Sequence, residues 1–437
     1  MHLESMPSFG VPPPASQDRA RSVASFFQIA FSASGNRVHY SWITTEKSLP
    51  LSGLSDLPSF RGEWAVLLEC ASPAPDARRL EELAGSADWS RLLVLAEEHG
   101  VLAHLAKRLR EFDENLVPAE IRRTLLERHR AQVFSTLRMT AELFRLLELF
   151  AAKGIPALVV KGPVLAMQAY GDPTMRSYGD LDLLVRQRDI RRATESLQAI
   201  GYQAAVPLGA IDAGKIPGQY LFSNPDSKLI VELHNDLTLR YFPRRLPIED
   251  FFARQIRVRL DAYDAPALSV EDELVLICIH GAKHLWERLI WIADVAALVS
   301  RQTGIDWERT SASARAVRAE HLLNTGLRLA ADVLHAHLPE DVSAPVRQDA
   351  VAAKLVAGIL RWLPAAGYAP PGLLQRAVFR LRMRGGGFSA PAYLLRLSLS
   401  PTEEDWKPGA TENRHGFLEA LRRPFRLARK YRHGGKS

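Results

Sequence analysis

The chain has 437 residues, of which 47% are hydrophobic and 24% charged, and a net charge of +7; that length calls for two or three lobes, and the composition is that of an ordinary soluble protein. No apolar run reaches the ~18–20 residues of a membrane span, and two cysteines, Cys70 and Cys278, are too few for a disulfide framework. The stretch MHLESMPSFGVPPPASQ carries an acid and a proline cluster where a signal peptide needs basic residues before an apolar core, so a cytoplasmic location is expected.

Residues 1–65, rich in Ser, Pro and Gly without a sustained period, read as a poorly ordered extension. A helical lobe follows over 66–153. It contains DARRLEELAG, then SADWSRLLVLAEEHGVLAHLAKRLREF with Ser86 or Asp88 as its cap, then a helix from about Pro118 to Lys153 that stops at Gly154. Over 154–260 short β-type runs (ALVV at 157–160, LDLLV at 181–185, LIVELH at 229–234) alternate with helical segments (163–171 and 189–201). That alternation predicts a small mixed sheet. Helical patterns return over 261–400, and 401–437 form a basic tail. The expected fold class is therefore α+β, a small mixed sheet between largely helical N- and C-terminal lobes.

Only 11 of the 56 basic residues are Lys, and many of the 45 Arg fall late, in QRAVFRLRMRGGG (375–387) and LRRPFRLARKYRHGGK (421–436). Such a tail either holds a polyanion or forms a solvated amphipathic helix. Neither run resembles a nucleic-acid reading motif, which favours the second, and nucleic acid is not the expected partner.

The chemistry concentrates in YGDLDLLV. Residues two apart on a strand share a face, so Asp180 and Asp182 project together, away from Leu181 and Leu183. Two adjacent carboxylates repel unless cations neutralise them, and oxygen ligands of this kind suit Mg²⁺ or Mn²⁺. Glu232, flanked by Val231 and Leu233 in IVELHND, is a third acid on a strand-like run. If the two strands pair, the three acids converge as a two-metal phosphoryl-transfer site requires. The plainer alternative is a turn acid at Asp180 and an Arg-paired Asp182.

Upstream, Lys161, Gly162 and Pro163 follow a strand and open a helix. A helix N-terminus with Gly162 suits a phosphate, and Lys161 and Arg176 are candidate cations for its oxygens. Downstream, SVEDELVLICIHGAKHLWERLIWIADVAALV (269–299) starts at a Ser269/Asp272 cap and is apolar on most sides, which predicts one buried helix. At about 100° per residue, His280, Lys283, His284, Glu287, Trp291 and Asp294 fall in one sector. That stripe either lines the cleft, with His280, Lys283 and His284 facing into it, or forms an internal network.

The order strand, KG turn, helix, R-x-x-x-D-h-D-h, helix, GY, h-E-L-H, where h is apolar, resembles the DNA polymerase β-type nucleotidyltransferase superfamily. More narrowly it resembles a bacterial group of uncharacterised nucleotidyltransferases, and the resemblance runs over roughly 85–432. It implies a nucleotidyltransferase core, a turn holding an NTP such as ATP at Gly162, and Mg²⁺ or Mn²⁺ on Asp180, Asp182 and Glu232. The reading of the residues themselves offers Lys161, Arg176, His280, Lys283 and His284 as nucleotide contacts. The expected reaction is NMP transfer to an acceptor hydroxyl; the resemblance says little of the acceptor, for which a small molecule, peptide or saccharide is expected. The chain departs from the superfamily in having Pro163 after the turn glycine, and in the length between Gly162 and Asp180. The alternatives are a degenerate nucleotide-binding or assembly module and a D-x-D glycosyltransferase; the latter lacks the large nucleotide-binding sheet it needs before the motif.

Overall fold

The computed structural model describes residues 61–110, 116–212, 218–237, 245–365 and 371–383. The chain divides into two units, Met1–Leu54 and Ser55–Ser437, and all the described residues belong to the second. Residues 1–60 of the expected extension and the basic tail 401–437 lie outside them.

Helices α1 (Arg61–Ala71), α2 (Ala77–Ala84), α3 (Trp89–Glu98) and α4 (Leu102–Arg108) come first. Asp76 caps α2 and Asp88 caps α3, each accepting N–H groups from the first turn. The long α5 (Ala119–Ala152) leads into the sheet region: β1 (Ala157–Val160), α6 (Gly162–Tyr170), β2 (Leu181–Val185), α7 (Ile190–Ala199), β3 (Gln203–Ala204), α8 (Leu208–Asp212), β4 (Gln219–Ser223), β5 (Ile230–His234), α9 (Ile248–Ala253), β6 (Ile256–Leu260) and β7 (Tyr263–Ala267). The C-terminal helices are α10 (Val270–Lys283), α11 (Leu289–Arg301), α12 (Trp307–Ala316), α13 (Glu320–Leu334), α14 (Glu340–Gln348), α15 (Ala350–Trp362) and α16 (Leu373–Arg382). The fold is α+β, a mixed sheet flanked by helical regions. Among the described residues no helix is long and apolar enough to cross a membrane.

The seven strands run in the order β3-β4-β5-β2-β1-β7-β6. β2 is antiparallel to β1 and parallel to β5, and β1 is parallel to β7. Alternation gives the sheet two unlike faces. Val159, Leu181, Leu183, Val185, Val231 and Leu233 join one apolar cluster with α5 and α7. Leu158, Val160 and Leu184 join the other, with the C-terminal helices. Register places Asp182 beside Val160 on one side and Glu232 on the other, on this second face. The sheet therefore turns Asp182 and Glu232 toward the helical lobe.

Two features differ from the sequence reading. The single helix expected over 269–299 is two, because the chain turns at Leu285 and Trp286, both with positive φ. The Trp286 ring folds back onto Gly281, where a Cβ would stand 2.6 Å from it. Trp362 closes the turn by donating its indole N–H to the Leu285 carbonyl (3.0 Å). Asp294 thus belongs to a different helix from His280, and the polar stripe is not one stripe. The other is the sheet's extent: β3 and β4 at one edge and the β6–β7 hairpin at the other are strands the sequence reading did not name.

Candidate functional site

Asp182 occupies the centre of the sheet's polar face. Its Oδ2 receives the Lys161 ammonium at 3.1 Å and its Oδ1 lies 2.8 Å from His234 Nε2. Burial pushes its carboxyl up, but Lys161 and His234 outweigh this and hold it far below the usual range. Glu232, directly across the parallel ladder, has Oε2 at 3.6 Å from His234 Nε2 and accepts a hydrogen bond from the Gln219 amide at 2.5 Å. Burial, then the charge of Asp182, raises its carboxyl to about 7. Asp180 sits one residue before β2, half-buried, and burial with the same neighbouring charge raises it to about 6.

Lys161 ends β1 in an uncommon backbone conformation (φ 61°, ψ −138°). Its N–H donates to Glu273 Oε1 on α10 at 3.1 Å. Burial opposes its charge, yet Asp182, Asp180 and Glu232 raise its pKa. Gly162 follows, also with positive φ, and no heavy atom stands within 4 Å of where its Cβ would be. Open space thus lies above the first turn of α6, where the chain would otherwise be packed, and Pro163 takes up a position whose N–H the helix does not use.

Arg176 is differently employed. Its Nε donates to Asp294 Oδ2 on α11 (2.8 Å), and Tyr170 donates its hydroxyl to the other oxygen of Asp294 (3.0 Å). All of this is buried, so the guanidinium offered by the sequence as a phosphate contact is committed to a helix of the C-terminal lobe. His280 and His284 lie with Trp291 in a ring cluster, His280 to His284 at 4.6 Å between centroids and His284 to Trp291 at 5.2 Å. Burial, then the charges of Lys161 and Lys283 among others, keeps both imidazoles neutral, His284 down to about 3. Lys283 stands on the last turn of the same helix.

Whether a divalent cation suits these residues can be asked of the geometry. Asp182, Glu232 and His234 each offer a ligand atom, and the three atoms lie within 4.8 Å of one another. Asp180 is outside that span. Three carboxyls stand with the Lys161 ammonium, and burial first, then the charge of Asp182, drives Asp180 and Glu232 toward protonation. A buried acid cluster short of positive charge, with oxygen ligands facing one point, fits a divalent ion.

His234, Gln219 and Glu273 were not singled out by sequence, whereas Asp294 was placed only in the polar stripe of 269–299. For His234 the signal was present, since in E-L-H the residue two after Glu232 must share its face. Gln219, Glu273 and Asp294 reach the site only through tertiary packing.

The family model described as "Uncharacterised nucleotidyltransferase" matches residues 85–335, and the chain belongs to that family. No curated protein matches it. Among solved structures it is similar to the lincosamide antibiotic adenylyltransferase LnuA, lincomycin-bound, at 17% identity over 37% of this chain and 97% of that one, with a TM-score of 0.28. A likeness of that size carries no functional weight.

Proposed function

We propose that the chain is a metal-dependent nucleotidyltransferase that moves a nucleoside monophosphate from an NTP, ATP among the candidates, to an acceptor hydroxyl with release of pyrophosphate. The observation that supports it most directly is the β2–β5 register, which sets Asp182 against Glu232 beside Lys161 on the face toward α10, in a chain of the nucleotidyltransferase family.

Asp182 and Glu232, with Asp180 at the mouth of the strand, would hold Mg²⁺ or Mn²⁺, which when bound neutralises the triphosphate and lowers the barrier to in-line displacement. The chain's own groups divide the remaining work. Lys161, fixed by Glu273, presents a cation beside the helix N-terminus above Gly162, where charge on the departing pyrophosphate is stabilised. Glu232, oriented by Gln219, is placed to help remove the acceptor hydroxyl's proton. His280 and His284 with Trp291 offer a neutral ring wall for a base or an acceptor. Arg176 acts through the chain, holding the segment before β2 against α11.

The acceptor is a small molecule, peptide or saccharide bearing a hydroxyl. Incubating the protein with each labelled NTP and a cell extract identifies it by the label it gains. Asp182→Asn is expected to abolish Mg²⁺-dependent pyrophosphate release while the circular dichroism spectrum is unchanged; turnover retained in that variant overturns the assignment.

A further inference from the structure

His234 has no role in the reading above, yet its position is specific. Its side chain is 8% exposed and wedged between two carboxylates, 2.8 Å from Asp182 Oδ1 and 3.6 Å from Glu232 Oε2. The two oxygens of Asp182 are divided: Lys161 takes Oδ2, so Oδ1 faces His234. For cis ligands of a six-coordinate ion with bonds of ~2.1 Å, a separation of about 3.0 Å is expected, and about 4.2 Å for trans ligands. The two observed separations lie in or next to that range, and all three ligand atoms fall within 4.8 Å.

We infer that His234 is itself a ligand, through Nε2, of the ion held by Asp182 and Glu232, and that this nitrogen turns the centre toward Mn²⁺ and away from Mg²⁺. The inference rests on the nucleotidyltransferase reading. Its chemical basis is donor type: Mg²⁺ favours all-oxygen shells and sheds water reluctantly, whereas imidazole binds later first-row divalent ions more readily. The proton balance is simple. The Asp182 carboxylate only accepts, so the 2.8 Å contact has Nε2 donating an N–H to Oδ1. To ligate, Nε2 would give up that proton, kept by the ring at Nδ1 or released to solvent, and would offer its lone pair to the cation in its place.

The test is Mn²⁺ binding to the full-length protein with and without a non-hydrolysable ATP analogue, followed by electron paramagnetic resonance, with pulsed measurements of nitrogen coupling. In protein grown with ¹⁵N-histidine the coupling is expected to change from ¹⁴N to ¹⁵N, which separates it from nitrogens of the nucleotide. Among the described residues His234 is the histidine in the ligand group, so His234→Gln should erase the coupling. The same variant should weaken Mn²⁺ by roughly tenfold or more, while Mg²⁺ affinity moves much less. Should that variant not fold, the isotope exchange in the unaltered protein decides alone. Bound Mn²⁺ that is lost in Asp182→Asn but shows no histidine coupling overturns the inference and leaves the nucleotidyltransferase reading in place. Failure to bind Mn²⁺ under either condition overturns both.

Discussion

The buried pair Arg176–Asp294 gives a prediction whose size follows from the structure. Asp294→Asn keeps the shape of the side chain and an oxygen that still accepts the Tyr170 hydroxyl, but removes the carboxylate charge that holds the Arg176 guanidinium among the described residues. Both side chains are nearly inaccessible, at 9% and 2%, so water cannot replace the lost partner. Breaking such a pair from one side costs about 3–5 kcal/mol. Because the Tyr170 bond survives, the lower figure is expected, about 3 kcal/mol, and at roughly 2 °C per kcal/mol for a large unit the melting temperature should fall by about 6 °C.

The assay is thermal and urea unfolding of Asp294→Asn beside a double variant, Arg176→Met with Asp294→Leu. An apolar pair of similar volume carries no stranded charge, so the double variant should recover most of the loss. A melting temperature within about 1 °C of the parent for the single change, or a double variant no better than the single, would show that Arg176 is not held by Asp294. Turnover is informative too. A positioning role predicts a lower kcat with KM for the NTP little changed, whereas a direct phosphate contact by Arg176 predicts the reverse.

Three further outcomes can be checked. In metal-free protein Glu232 and Glu273 are pushed to about 7 and Asp180 to about 6, chiefly by burial; each keeps a proton that the unfolded chain has lost above about 4.5 and so subtracts stability as pH rises toward 7, while the buried neutral imidazoles of His280 and His284 act in the opposite direction. Glu232→Gln removes one of the three acids, so in a chelator its urea midpoint should gain on that of the parent as pH rises from 5 to 7; a difference that does not grow with pH would contradict this. Gly326→Ala would place a Cβ 2.4 Å from Cys278 Sγ and 3.1 Å from Trp286, so it should destabilise by about 1–3 kcal/mol, with Cys278→Ala restoring part of the loss; an unchanged urea midpoint for the single variant contradicts this. Glu273→Gln retains an acceptor for the Lys161 N–H and should keep more activity than Glu273→Ala, which frees the turn; equal rates of pyrophosphate release in the two would contradict this.

The strands that carry the acids were legible because their signal is local. ALVV and LDLLV are short β-branched or apolar runs between a helix stop and a turn, and the structure has strands over those same residues. The Asp182–Glu232 pairing needed only the further step that β2 and β5 be neighbours. What was not legible is set by distant packing. In β6 and β7, Arg257, Arg259 and Asp264 are exposed and Pro266 interrupts the run, so the hairpin reads as loop; it is at the sheet edge, where such residues are tolerated. The break before α11 contains neither Gly nor Pro at its turn residues; it is made by Trp286 finding room over Gly281. The partner of Arg176 is 118 residues away, beyond any periodicity.

These distant contacts converge on one segment. Lys161 holds a conformation that costs a non-glycine residue about 1–3 kcal/mol, and the groups that secure it are Glu273 on the first turn of α10 and Asp182 on β2. At the segment's other end, Arg176 is fastened to α11 by Asp294, and Tyr178, two residues before Asp180, is fastened to α5 through Thr140. The stretch from the KG turn to the acids is thus clamped from helices on both sides of the sheet, with two of the clamps on the C-terminal lobe. Strain of this kind persists only where surrounding structure over-determines it, so the helical lobe is a structural part of the acid site. A sheet core ending before Glu273 would hold the acids in register and lose the turn that faces them.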